Sequence, residues 1–127
     1  MDKPSLNIWE AAELGKIEVL KEWVKYIKEN NLGDDYINRK AIGTGNTPLI
    51  YAIQNKQIDA VYYLATIGKA CTITPSSDNR TPLQNACFYG LIPVVILFLE
   101  NFQEVEENIN SQDKLGNTAL HEAVLKG

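Results

Sequence analysis

Stacked helix–turn–helix units forming an all-α solenoid are expected from this 127-residue sequence, for three reasons. A six-residue pattern returns in register: Thr47-Pro48-Leu49-Ile50-Tyr51-Ala52, then Thr81-Pro82-Leu83-Gln84-Asn85-Ala86, then Thr118-Ala119-Leu120-His121-Glu122-Ala123, at spacings of 34 and 37 residues. A second marker keeps the same phase, as Ile37-Asn38, Ile73-Thr74 and Ile109-Asn110, each 36 apart. Within the copies, helix-start chemistry precedes an apolar pair three residues apart, the narrow stripe of a short packed helix. Recurrence at such a period marks a repeat architecture, because one unit alone cannot bury its apolar face.

Each element then has its own warrant. The first copy is degenerate, Ile8-Trp9-Glu10-Ala11-Ala12-Glu13-Leu14-Gly15, and places Ala11 41 residues before Ala52. It lacks Thr-Pro and carries Trp9, Glu10 and Glu13, as the terminal cap of a solenoid would. Gly15 ends its first helix at a turn, and a second helix runs from Ile17 through Val24 toward Asn30. In the second copy, Thr47 offers its hydroxyl to the free amides of the first turn. Pro48 occupies the first helical position, where its missing N–H costs nothing. Leu49 and Ala52 form the stripe, and Ile58 to Leu64 form the partner helix. The third copy repeats this with Thr81, Pro82, Leu83, Ala86 and the turn at Gly90. Pro93 lies in the opening turn of its second helix, Ile92 to Leu99, and so starts that helix rather than breaking it. Loops of Gly, Asn, Asp, Ser and Thr lead into each Thr-Pro-Leu. Asn79 stands where Gly45 and Gly116 stand in the neighbouring loops and tolerates a left-handed turn. The last copy stops at Gly127, after its first helix. This leaves Leu120, Ala123 and Val124 short of cover and reads as a chain cut from a longer protein.

Together these residues resemble the ankyrin repeat, whose period is about 33 and whose signature is T-P-L-H-x-A. The resemblance covers essentially the whole chain. It implies an ankyrin-repeat solenoid with extended finger loops, three full repeats plus a partial fourth. The boundaries fall near 5–41 (the cap-like repeat), 42–75, 76–112 and 113–127. Departures are specific. Only the last copy carries the signature His, as His121, with Ile50 and Gln84 in its place earlier. The three spacings exceed the family period by 8, 1 and 4 residues. The first excess fits two added turns on the helix that begins at Ile17, and the others fit longer fingers.

Composition and charge exclude several functions. The net charge is −4, with two arginines, Arg39 and Arg80. No cluster of Lys and Arg suits a phosphate backbone, so no nucleic-acid partner is expected. The longest apolar run, Leu91 to Leu99, is nine residues and contains Pro93. About twenty are needed to span a bilayer. The chain reaches Trp9-Glu10 without a hydrophobic signal core, and no secretory leader is expected. Cys71 and Cys87 have no CxxC spacing and read as reduced thiols of a cytoplasmic protein. One His and two Cys sixteen residues apart match no zinc pattern, so no metal and no cofactor are expected. Gly43-Thr44-Gly45-Asn46 lacks the Lys-Ser/Thr of a phosphate loop. The acidic pairs Asp34-Asp35 and Glu106-Glu107 read as solvated linker residues. A Cys–His nucleophile would need Cys71 or Cys87 beside His121 and a third group to orient the ring, and the spacing supports neither. In the resembling family, the His and the Thr three residues before it hydrogen-bond with neighbouring turns, which gives His121 a structural role. No enzyme is expected.

What remains is a surface. The resemblance implies a protein-binding module whose variable side chains gather on a concave face formed by first helices and loop tips. Matched position by position, these are Gly43, Thr44, Asn46, Gln54 and Asn55 in the second copy. They are Ser77, Asp78, Arg80, Phe88 and Tyr89 in the third, and Lys114, Leu115, Asn117, Leu125 and Lys126 in the fourth. Phe88-Tyr89 beside Arg80 is the strongest group, because aromatic residues and Arg dominate interface hot spots. On the opposite face, Lys21, Tyr62 and Ile96 hold equivalent outward positions, with Tyr63 and Phe98 nearby. The expected partner is a protein. An alternative makes the chain the recruiting arm of a larger enzyme or bacterial effector. Its composition, with 13 Ile, 12 Asn and 10 Lys against two Arg, is that of an AT-rich coding sequence. Repeats of this family in such genomes include effectors injected into host cells, which would place the chain in the host cytoplasm.

Overall fold

Thr47 and Thr81 cap their helices where the repeat pattern places them in a computed structural model, which describes residues 3–121. Helices α1 (Ile8–Glu13), α3 (Pro48–Gln54) and α5 (Pro82–Phe88) are the first helices of three pairs. Their partners are α2 (Ile17–Glu29), α4 (Ile58–Thr66) and α6 (Ile92–Asn101). A 3-10 helix, Asp34–Asn38, follows α2, and a short α7, Gln103–Glu107, follows α6. No strand occurs among the described residues. The Thr47 hydroxyl accepts from the N–H of Ile50 at 3.3 Å, and Thr81 accepts from Gln84 at 3.2 Å. The first pair lacks Thr-Pro, yet Asn7 does the same work by accepting from the N–H of Glu10 at 2.8 Å.

All three first helices end in one motif, a Schellman turn. The N–H of Lys16, Gln57 and Leu91 donates to the carbonyl of Ala11, Ala52 and Ala86 at 2.8, 2.9 and 2.9 Å. The residue before each donor is left-handed: Gly15 at φ 66°, Lys56 at 57° and Gly90 at 69°. The turn folds each second helix back on its first, so the pairs stack α1 on α3 on α5 and α2 on α4 on α6. Ala11, Ala52 and Ala86 are fully buried, and with only a methyl group each they let neighbouring helices approach closely. Leu20, Leu49, Ile53, Leu64, Leu83, Val94 and Phe98 fill the space between layers as one continuous core. Trp23 joins the first pair to what flanks it. Its indole N–H donates to Leu6 O at 2.9 Å, and its ring stacks on Tyr36 of the 3-10 helix.

Several expectations need correction. The first spacing excess is not two added turns on α2, which has 13 residues against 9 in α4 and 10 in α6. Much of the excess goes into the 3-10 helix, held by the Trp23–Tyr36 stack. The excess of the third spacing is not in a finger either, because α7 absorbs it and buries Val105. Asp34-Asp35 and Glu106-Glu107 are exposed as expected, but they sit in these two short helices rather than in linkers. Phe98 faces the core and is no part of an outward patch.

The fingers close without strands. The N–H of Ser76 donates to Arg80 O at 2.7 Å and that of Asp113 to Asn117 O at 2.8 Å. In the first finger Ala41 donates to Asn46 O at 3.0 Å, across one residue more. That finger carries Ile42 wholly in solvent. Asn79 adopts φ 63°, matching Gly45 at 72° and Gly116 at 83°, as the sequence comparison of the loops anticipates. After the third finger the chain is helical at residues 119–121, with Leu120 exposed. The expectations placed on Glu122, Ala123, Val124, Leu125, Lys126 and Gly127 lie outside the described residues.

Candidate partner-binding surface

The first helices and fingers share one side of the stack, and polar side chains tie each finger to the next. Asn46, expected to contact a partner, is instead buried, and its amide oxygen accepts the N–H of Ser77 at 2.9 Å. Asn79 donates to Gln112 O at 3.1 Å, and the N–H of Lys114 donates to Asp78 O at 3.2 Å. Arg80 donates through Nε to Asp113 Oδ2 at 3.2 Å and lies 3.6 Å from Asp78. Ser76 donates its hydroxyl to Asp78.

Asp113 is the centre of the third finger. Its side chain is 2% exposed, and Oδ1 accepts the N–H groups of Leu115 and Asn117, each at 2.9 Å. Burial pushes its carboxyl up. The Asn117 N–H, the Arg80 guanidinium and the Leu115 N–H outweigh that and hold it below the usual carboxylate range. Nothing in the sequence singles out Asp113, because an Asp before Lys-Leu-Gly reads as one more loop acid.

Gln84 and Asn85 were likewise missed as a site and are the buried polar pair under the fingers. Gln84 completes a capping box with Thr81, whose N–H it accepts at 2.7 Å. Its amide nitrogen donates to Ser111 O at 2.8 Å and Asn117 O at 2.7 Å. The turn-to-turn bonding that the signature implies for His is thus performed by Gln at this position. Asn85 donates to Thr81 O and Arg80 O, both at 3.1 Å, and accepts from Gln54 at 3.4 Å. His121, in its own copy, accepts at Nδ1 from the N–H of Thr118 at 3.0 Å, a bond within its own turn rather than to the neighbouring turn expected for it.

The remaining candidates separate into two areas. In the first, Arg80 lies with its guanidinium 4.2 Å from the centre of the Phe88 ring, and Tyr89 meets Phe88 edge to face at 5.0 Å. The three residues singled out in the sequence do come together. Arg80 is spent on Asp113 and Phe88, so it positions the aromatic pair. Exposed Lys114 and Leu115 cap the next finger, and half-buried Asn117 is tied into it. In the second area, Thr44 and Tyr51 share a hydrogen bond of 2.7 Å, and exposed Asn55 donates to Tyr51 O. Thr44 and Tyr51, but not Asn55, border a groove of about 590 Å³ whose other walls include Trp9, Glu10 and Glu13 of α1 and Arg39, Lys40 and Ile42 of the finger. Trp9 is fixed there by donating to Arg39 O at 2.8 Å. Gly43, Ser77 and Asp78 are exposed, and Gln54 is half-buried. On the opposite face Tyr62 and Ile96 are exposed on α4 and α6, and Tyr62 donates to Pro93 O at 3.3 Å.

Among the described residues, no three or more His, Cys, Asp or Glu side chains are grouped to hold a metal ion. No described helix is long and apolar enough to cross a membrane. Cys71 and Cys87 are half-buried and in no disulfide.

Paired short helices, left-handed turns and interlocked fingers define a helical-repeat solenoid that presents one continuous face. A family model for ankyrin repeats (three copies) matches residues 8–108, and the chain belongs to the ankyrin-repeat family. Ankyrin repeats are generally protein–protein interaction modules and are typically non-catalytic.

Proposed function

We propose that this chain is a non-catalytic module that holds a partner protein on the face made by α1, α3, α5 and the fingers. The observation that carries this reading is the Phe88–Tyr89 pair, locked edge to face and backed by the Arg80 guanidinium. Rigid aromatic side chains lose little entropy on binding and are enriched at interface hot spots. The fingers support it, because loop-to-loop bonds hold the surface in shape before a partner arrives. Trp9, Tyr51 and Ile42 around the groove extend the same face. The module divides into repeats near 5–41, 42–75, 76–112 and 113–127.

The test is capture from cell lysate by the wild-type chain and by a Phe88→Ala/Tyr89→Ala variant, with circular dichroism confirming that both are folded. Retention by wild type alone is expected. For an isolated partner, each single substitution is expected to cost about 2 kcal/mol, close to thirtyfold in Kd. Equal retention by both chains removes the aromatic pair from the interface. Arg80 is left intact in this test, because its loss would loosen the third finger through Asp113.

A further inference from the structure

A cleft on the other side of the molecule comes from the mismatch between neighbouring second helices. Helix α2 has 13 residues and α4 has 9, so the last turn of α2 runs past the point where α4 ends at Thr66. The chain leaves α4 through Gly68 and a left-handed Lys69 at φ 54°. The 3-10 helix closes the third side. What remains is a cavity of about 350 Å³ walled by Val24, Ile27, Ile37 and Ile67, with Lys28, Lys69 and Asp34 among its polar lining. This volume lies in the range of small-molecule sites. None of these residues belongs to a first helix or a finger, so the cleft is independent of the concave face.

Its chemistry is two-sided. The apolar walls come from all three elements, and Ile67 is 62% exposed at the end of α4. Lys28 and Lys69 make no ion pair among the described residues, whereas Lys25, on the same helix as Lys28, pairs with Glu29 at 3.9 Å. Asp34 is the acid of the lining, and Asp35 is exposed beside it. Within the lining itself, with Asp35 outside it, two ammonium groups stand against one carboxylate and leave one positive charge over an apolar floor. A second hollow of about 300 Å³ shares Ile27, Lys28, Gly33 and Asp34 with the first and gives the charged end access to solvent.

We infer that the cleft binds a small aliphatic monocarboxylate, its chain against Val24, Ile27, Ile37 and Ile67 and its carboxylate between Lys28 and Lys69. A monoanion neutralises the surplus charge, where a dianion would overshoot it and meet Asp34. Burial of the chain supplies the affinity, and the two ammonium groups of the lining select the head.

The experiment is an amide NMR titration of the whole chain with octanoate, octanol and octyltrimethylammonium. Octanoate is expected to give saturable shifts confined to Lys28, Gly33, Gly68, Lys69 and their neighbours, and to bind more tightly than the other two. A Lys28→Gln/Lys69→Gln variant, altered only at exposed positions, is expected to weaken octanoate about tenfold and leave octanol unchanged. Ile67→Ser is expected to weaken both. Equal affinity for octanol and octanoate overturns the proposal. So do shifts centred on the exposed Ile92, Ile96 and Leu99, or no saturable shift with a folded wild-type spectrum.

Discussion

Lys56 occupies the turn position that Gly15 and Gly90 occupy in the neighbouring units, with the same left-handed backbone. A Cβ there is strained, and the Lys side chain is exposed. Lys56→Gly is therefore expected to raise stability by about 1 kcal/mol, read from the urea midpoint. Gln84→Ala is expected to lower it by about 2–3 kcal/mol, because the Thr81 N–H and the Ser111 and Asn117 carbonyls lose their partner at a buried site. For Asp113 the sign follows from its lowered folded pKa. Its contribution is complete above the ordinary carboxylate pKa and is lost as pH falls toward the folded value. Urea midpoints between about pH 7 and pH 3 should show a steeper acid limb for wild type than for Asp113→Asn. Little of this was legible beforehand. Asn79 was, because Asn for Gly is a familiar left-handed exchange. Lys56 was not, because nothing in a lysine announces positive φ. Gln84 and Asn85 look like solvent-facing helix residues until the next finger supplies the carbonyls they face.

Helix starts were the most readable elements. Thr47-Pro48 and Thr81-Pro82 carry their cap and their first-turn geometry in two adjacent residues, and the structure uses both. Lengths were harder. The count of residues between Ala11 and Ala52 is fixed by sequence, but its division between α2, a 3-10 helix and a longer first finger depends on Trp23 meeting Tyr36. Sequence spacing carries no trace of that stack. The extra residues after α6 form α7 because Val105 finds a buried place against the core, again a tertiary cause. The stripe itself was legible, and Leu83→Ala is expected to cost about 2–5 kcal/mol as a core deletion, measurable by urea denaturation.

At the scale of the whole stack, stability is a sum of units and the interfaces between them. Helices α3 and α4 are covered on both sides, by α1 and α5 and by α2 and α6. Their amides are expected to exchange most slowly with deuterium, with protection falling toward both ends. Uniform protection along the chain would show instead that it opens only as one cooperative block. The stacking of the first helices along one side was legible, since it follows from the repeat. Which of its residues stay available was not: Asn46 and Arg80 hold fingers together, while Trp9, Tyr51 and Ile42 border a groove that no single copy of the motif reveals.

The ties between fingers have a consequence for how such a chain changes length. Asn46 meets Ser77, Asn79 meets Gln112 and Arg80 meets Asp113, at separations of 31, 33 and 33 residues. Donor and acceptor therefore sit in consecutive units, never two units apart. A segment duplicated whole would arrive with a socket for the unit before it and a plug for the unit after it. One cut through the middle of a finger would bring neither, so the fingers mark where the protein can be spliced only between intact pairs.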